Sequence, residues 1–118
     1  MDITHLHLHV RDRARSEAFY ARWLGLKHAF GAEGITFMTG ERDFLLALMD
    51  DPSPAPMPGW FHFGTRVANL ARLRALLGEM EAAGVPIVKP LFEGPTVASF
   101  RCADPDGYPI EVYAAPDT

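Results

Sequence analysis

Three histidines alternate along one short segment near the start of the 118-residue chain. His5, His7 and His9 are separated by Leu6 and Leu8 in the stretch ITHLHLHV. Successive side chains of a β-strand point to opposite faces, so this spacing predicts a strand with one imidazole face and one aliphatic face. Same-face neighbours lie about 6.6 Å apart, close enough for two imidazoles to chelate one ion. A polar lining for a wet cavity is the alternative explanation of the same pattern.

The same alternation gives directions to polar side chains in later segments. In GWFHFGTRV it places His62 on the face of Trp60, opposite two phenylalanines. In YPIEVYA it places Glu111 and Tyr113 on the face opposite Ile110 and Val112, which are expected to lie under a helix. These assignments depend only on the period of two, and they predict an imidazole and a carboxylate that face the same interior space.

Two further polar residues share a face in the segment TVASFRCA. Ser99 and Arg101 have the same parity, and if they face the interior, as the family resemblance given below implies, the arginine would favour an anionic group on a ligand. An arginine that extends to the mouth of the interior space is an equally good explanation. Cys102 has the opposite parity and is expected to be an inert core thiol.

Two helices must separate these strands. Asp12 offers a carboxylate N-cap to RARSEAFYARWLG, in which Ala18, Phe19 and Trp23 form the predicted apolar stripe and Gly25 the C-terminal stop. In the second half, Asn69 is the predicted cap of LARLRALLGEMEAAG.

The chain reads as two copies of one βαβββ unit. His62 follows His5 by 57 residues, and Asn69 follows Asp12 by the same interval. The remaining predicted strands are LKHAF, ITFMT and DFLLALM in the first unit and VPIVK, TVASFRCA and YPIEVYA in the second. The predicted fold is α+β: one domain over residues 1–118, with module one at about 1–50, a proline-rich linker at about 51–58, and module two at about 59–118.

Composition excludes several classes of function. The net charge is -4, and no basic run could neutralise a nucleic-acid backbone. No apolar stretch reaches the roughly 20 residues of a membrane span, and the start of the chain does not have the order of a signal peptide. With a single cysteine, an internal disulfide is impossible, so a cytoplasmic protein is expected.

Three segments together resemble the vicinal oxygen chelate superfamily, the group of glyoxalases, bleomycin-resistance proteins and extradiol dioxygenases. They are THLHLHVRD with AFYARWLGL, GWFHFGTRV, and FRCADPDGYPIEVY. The resemblance implies that two βαβββ modules form a half-open barrel around a metal site. It also implies a homodimer, in which the barrel is often shared between chains, and a small-molecule substrate.

The resemblance assigns metal-ligand roles to His5, His62 and Glu111. Two imidazoles and one carboxylate suit a divalent first-row metal with open coordination positions, and Fe, Mn, Ni, Co and Zn all remain possible. His7 is the best candidate for a catalytic base, although a ligand or supporting role is also open. The predicted substrate-binding residues are His9, Trp60, Ser99, Arg101 and Tyr113.

A residue of the fourth predicted strand limits the set of reactions expected of this chain. Ala47 stands where glyoxalase I enzymes, which this chain resembles, have a fourth ligand, a glutamate, and this difference disfavours lactoylglutathione lyase activity. We therefore predict a metal-dependent lyase, transferase or dioxygenase whose ion acts as a Lewis acid on a small oxygen-chelating substrate, with a site like that of fosfomycin transferases or dioxygenases. The alternative is a metal-free protein that sequesters a drug or metabolite, as bleomycin-resistance proteins do.

The segment DPDG has a mechanical role in this prediction. Asp104 and Pro105 favour a turn, and Gly107 tolerates a positive φ. The turn is expected to join the last two strands and to fix the register that directs Glu111 inward.

Overall fold

The computed structural model describes residues 1–115, which form two helices and eight strands in two four-stranded sheets. In chain order the elements are β1 His5–Val10, α1 Arg13–Leu24, β2 Lys27–Ala32, β3 Ile35–Thr39, β4 Leu45–Asp50, β5 Phe63–Arg66, α2 Leu70–Ala82, β6 Ile87–Glu93, β7 Ala98–Ala103 and β8 Pro109–Ala114. The chain divides into two compact units, Met1–Pro56 and Met57–Thr118.

Each unit has the βαβββ order that the repeat predicts, so the fold class is confirmed. The strand order is β1-β4-β3-β2 in the first sheet and β5-β8-β7-β6 in the second. In both sheets the first strand of the unit pairs in parallel with the last, and the other neighbours are antiparallel. A parallel pair requires a long crossover, and here the crossover contains the helix and two strands.

The first sheet has one covered face and one open face. Leu8 and Val10 of β1 are buried with Leu46 and Leu48 of β4, and α1 packs on this side. The three histidines of β1 are exposed on the opposite face. The predicted direction of these side chains is therefore the observed one.

The second sheet repeats this division of its faces. Ile110 and Val112 of β8 are fully buried beside Phe100 and Cys102 of β7, under α2. Glu111 lies on the other face and is half-buried. The alternation along β8 thus gives one face to the core and one to polar side chains.

Both helices begin at the predicted caps. Asp12 Oδ1 accepts a hydrogen bond from the Arg15 N–H at 3.2 Å, and Asn69 Oδ1 accepts one from the Arg72 N–H at 2.9 Å. Gly25 ends α1 with a φ of 68°, a left-handed conformation that favours glycine.

The predicted buried stripe of α1 is wrong in detail. Ser16 and Tyr20 are the buried residues of this helix, while Ala18 is exposed and Trp23 only half-buried. A small serine side chain lets the helix approach the sheet closely, and the Arg22 guanidinium covers the Trp23 ring at 4.4 Å. The predicted stripe is therefore correct for Phe19 and Trp23, which are half-buried beside Ser16 and Tyr20, and wrong for Ala18.

The fifth strand is shorter than its sequence pattern. Residues 51–62 contain no helix or strand, and β5 starts only at Phe63, one residue after His62. The Phe61 N–H donates to the Pro58 carbonyl at 2.9 Å, so a turn occupies the start of the alternating segment. The single domain with a linker at residues 51–58 remains a prediction.

Candidate functional site

The open face of the first sheet presents the three histidines in a row. His5 Nδ1 lies 3.1 Å from Thr4 Oγ1, and the rings of His7 and His9 meet edge to face at 5.1 Å between centroids. Ala47, which is His7's partner in the β1–β4 register, is buried. This face therefore carries imidazole side chains next to Ala47. A glyoxalase I enzyme would have its fourth ligand, a glutamate, at the position of Ala47.

His9 pairs with an aspartate that the sequence analysis did not select. His9 Nδ1 lies 2.8 Å from Asp51 Oδ2, and this hydrogen bond lowers the pKa of the Asp51 carboxyl below its ordinary value. The Ser53 N–H donates to Asp51 Oδ1 at 2.9 Å and acts in the same direction. Because Asp51 follows the last residue of β4, the parallel pairing with β1 brings it beside His9. The parallel pairing of β1 with β4, if predicted from the sequence, would have indicated that Asp51 lies beside His9.

In the second unit, the turn after β7 sets the position of Glu111. Asp104 is buried, and its Oδ1 accepts hydrogen bonds from the N–H groups of Asp106 and Tyr108, each at 2.9 Å. Gly107 has a φ of 88°, and its N–H donates to the Asp104 carbonyl. The resulting register pairs Glu111 with Arg101 across the β7–β8 ladder. The predicted turn is therefore observed between β7 and β8, and its role in fixing the register of Glu111 remains a prediction.

His62 has a defined tautomer. Its Nδ1 lies 3.1 Å from the Trp60 carbonyl oxygen, which can only accept, so Nδ1 carries the proton. Its Nε2 lies 3.3 Å from Arg101 Nη2, which can only donate, so Nε2 contributes its lone pair. Together the two contacts define a tautomer in which the Nε2 lone pair faces the Arg101 guanidinium.

Glu111 approaches the same nitrogen. Its Oε2 lies 3.7 Å from His62 Nε2, and both side chains are about one-third exposed. Two ligands that bind one Zn²⁺ at about 2.1 Å and a tetrahedral angle lie roughly 3.4 Å apart. A backbone carbonyl that orients the remote nitrogen of a histidine is also the usual support of a metal ligand. The separation of His62 Nε2 and Glu111 Oε2 is therefore compatible with two ligands of one divalent ion.

The third predicted ligand lies on the other unit. His5 begins β1, whereas His62 and Glu111 belong to the second unit. Among residues 1–115, no three His, Cys, Asp or Glu side chains are grouped so that they could hold a metal ion together. The structure thus brings together two of the three predicted ligands, and the complete set remains a prediction.

The predicted substrate-binding residues differ in exposure. Trp60 is 76% exposed, while Ser99, Arg101 and Tyr113 are half-buried on one face of adjacent strands β7 and β8. Cys102 lies in the core, and burial raises the pKa of its thiol to about 11. An inert thiol is the expected result of such an environment.

The chain has the two βαβββ units that define glyoxalase-type proteins, and comparison with known proteins agrees. A family model described as the Glyoxalase/Bleomycin resistance protein/Dioxygenase superfamily matches residues 2–112. The chain therefore belongs to this superfamily, as its sequence motifs predict. A comparison with curated protein sequences gives no significant match.

Solved structures show the same fold at low sequence identity. A possible glyoxalase from Bacillus cereus is 24% identical, with a TM-score of 0.82 over 95% of this chain and 97% of that one. A lactoylglutathione lyase from Agrobacterium tumefaciens is 24% identical, with a TM-score of 0.76 over 96% and 92%. The fosfomycin resistance protein FosX from Listeria monocytogenes is 17% identical, with a TM-score of 0.84 over 98% and 93%. These similarities show the fold and leave the reaction open.

Neither helix in the described part of the chain has the length and apolar character that crossing a lipid bilayer requires.

Proposed function

We propose that this protein is a metal-dependent enzyme that uses His5, His62 and Glu111 to hold a divalent ion. The ion would act as a Lewis acid on a small substrate that offers it two oxygens. The observation that supports this proposal most strongly is the approach of Glu111 Oε2 to within 3.7 Å of His62 Nε2, whose lone pair is oriented by the Trp60 carbonyl.

The remaining polar side chains would bind substrate and move protons. His7 is the proposed proton acceptor, since it adjoins His5 on the open face of β1 and has a second imidazole 5.1 Å away. Ser99 and Tyr113 are cross-strand partners beside the Arg101–Glu111 pair, so they would contact the same substrate. Trp60 and His9 complete the proposed binding residues.

The similarity to a fosfomycin resistance protein supports a reaction like that of the fosfomycin transferases as one candidate, and a dioxygenase-like reaction is the other. Ala47 favours both over a glyoxalase I reaction, since that reaction's fourth carboxylate is missing from β4. We also propose a cytoplasmic homodimer, in which a second chain could supply the first-unit ligand to the pair in the second unit.

A metal-free binding protein is the competing proposal, and one observation favours it. Arg101 Nη2–H donates to the lone pair of His62 Nε2 at 3.3 Å, so this nitrogen has a hydrogen-bond partner in the absence of an ion. In that case the open faces would enclose a drug or metabolite, without chemistry. Metal content separates the two proposals.

The first prediction is that the protein, purified without added metal and then dialysed against Mn²⁺ or Ni²⁺, binds close to one ion per chain. His5→Ala, His62→Ala and Glu111→Ala should each lower this value below about 0.2, because two remaining ligands bind such ions weakly. Elemental analysis by mass spectrometry measures the ratio.

Matched controls are available on the same chain. His28→Ala and Glu79→Ala remove an exposed imidazole and an exposed carboxylate that lie away from the proposed ligands, and both should retain the ion. A wild-type protein that takes up no ion would contradict the enzyme proposal and support the binding protein.

A further inference from the structure

The Arg101 guanidinium is only partly satisfied where it lies. Its Nη2 lies 3.3 Å from His62 Nε2, while its Nε–H is buried and has no hydrogen-bond partner among the described residues. A buried donor with no acceptor destabilises the conformation that contains it. A ligand or side-chain movement that gives the Arg101 Nε–H an acceptor would remove this destabilisation.

The Nε–H and Nη2–H groups of Arg101 lie on the same edge of the guanidinium. Nε–H and the outer Nη2–H of an arginine point the same way, and together they match two oxygens of a carboxylate, phosphonate or phosphate. The His62 imidazole offers one lone pair, so it can satisfy one half of this edge only. The remaining Nε–H donor can therefore bind an oxygen of an anionic group.

The contact with His62 also excludes a metal ion from the same nitrogen. Nε2 has a single lone pair, which cannot accept a proton from Arg101 and bind an ion at once. A divalent ion beside Glu111 would in addition repel the guanidinium. Because Arg101 is Glu111's partner in the β7–β8 register, the released side chain would stay next to the ion.

We propose that Arg101 recognises an oxyanion group of the substrate and that metal binding at His62 releases it for this role. The substrate class is then a small molecule with a carboxylate or a phosphonate-type group beside its metal-binding oxygens. In the metal-free protein the guanidinium occupies His62; in the loaded protein it is free to bind the anion with both Nε–H and Nη2–H. This inference depends on the proposed metal site.

The test uses Zn²⁺ as a diamagnetic ion, with methylphosphonate and acetate as anion probes. In wild-type protein, Zn²⁺ should shift the Arg101 Nε–Hε resonance and increase its exchange with water, as followed by ¹⁵N NMR. Arg101→Met should bind Zn²⁺ about five- to tenfold more tightly by calorimetry, because a hydrogen bond of about 1 kcal/mol no longer competes.

Anion affinity gives the second readout. Zn²⁺-loaded wild type should bind at least one of the two probes tenfold more tightly than Zn²⁺-loaded Arg101→Met, and more tightly than metal-free wild type. Whichever probe gives the larger difference identifies a carboxylate or a phosphonate. Arg101→Lys, which keeps the charge but lacks the two-donor edge, should also lose affinity.

A matched control removes the same charge elsewhere. Arg72→Met changes an exposed arginine of α2 that pairs with Glu79, and it should leave both affinities unchanged. Equal anion affinity in loaded wild type and Arg101→Met, or an Arg101 resonance that Zn²⁺ does not alter, would overturn this inference while the metal site stands. A wild-type protein that binds no Zn²⁺ would overturn the metal site and this inference together.

Discussion

At the scale of single residues, several contacts at the candidate site cannot be predicted from the spacing of residues in the sequence. The period of two predicted correctly that Glu111 of β8 faces away from the core, whereas His62 precedes the first residue of β5, so that period does not apply to it. It could not predict the Arg101–His62 contact, which requires the β7 and β5 segments to lie on either side of β8. The same is true of Asp51, which the sequence places in a proline-rich segment and the fold places beside His9.

The His9–Asp51 pair has a measurable electrostatic consequence. The pKa of Asp51 is lowered chiefly by the hydrogen bond from His9, so His9→Leu should raise that pKa toward its ordinary value. A carboxyl NMR titration measures the change. His28→Leu, which removes the exposed histidine paired with Glu17, should leave the pKa of Asp51 unaltered.

The sign of the associated stability change follows from the direction of the shift. A carboxyl whose pKa is lower in the folded than in the unfolded protein stabilises the fold above its ordinary pKa. That contribution is lost as the pH falls through the lowered value. The wild-type protein should therefore lose stability on acidification more steeply than His9→Leu, and an identical acid dependence of the two would contradict the pair's role.

At the scale of elements, the sequence predicted the order and type of every helix and strand, because the caps and the alternation are local signals. It predicted some boundaries poorly. The β5 segment alternates over nine residues, but Pro58 and Gly59 start a turn there and leave four residues of strand. The predicted stripe of α1 included the exposed Ala18 and missed Ser16, since close packing against a sheet selects small residues as well as apolar ones.

The turn between β7 and β8 is the element on which the Glu111 register depends. Asp104→Ala should lower the free energy of unfolding by about 3 kcal/mol, because two N–H groups lose their buried acceptor. Asp104→Asn keeps an acceptor oxygen and should cost about 1 kcal/mol. Urea unfolding at equilibrium measures both changes.

The control for this turn is Asp106→Ala, which leaves the Asp104 carboxylate and both of its N–H donors in place. It should change the free energy of unfolding by less than about 1 kcal/mol, as substitutions away from buried networks do. If Asp104→Ala were as mild as Asp106→Ala, the turn would not be what fixes the register.

At the scale of the whole molecule, each unit has one helix for two sheet faces. The helix covers one face, and the other presents the proposed ligands together with large apolar side chains such as Phe30 and Phe92, which are 52% and 60% exposed. Such faces favour association. The sequence predicted a homodimer from the family resemblance.

We expect sedimentation equilibrium to give about twice the chain mass of 13.1 kDa at micromolar concentration. Phe92→Glu and Phe30→Glu each introduce a charge on an open face, and at least one should shift the equilibrium toward the monomer. Phe44→Glu is an exposed aromatic control outside the strands. A wild-type monomer at these concentrations would contradict the dimer.

The parallel pairing of β5 with β8 has a consequence for how the second unit is made. Glu111 lies on β8, which is synthesised after β5 and β7 and must insert between them before β5 gains a partner in the sheet. Such long-range pairing slows folding, because the intervening loop must close before any hydrogen bond forms. The β5 strand, which directly follows His62, therefore has no parallel partner until β8 has been synthesised.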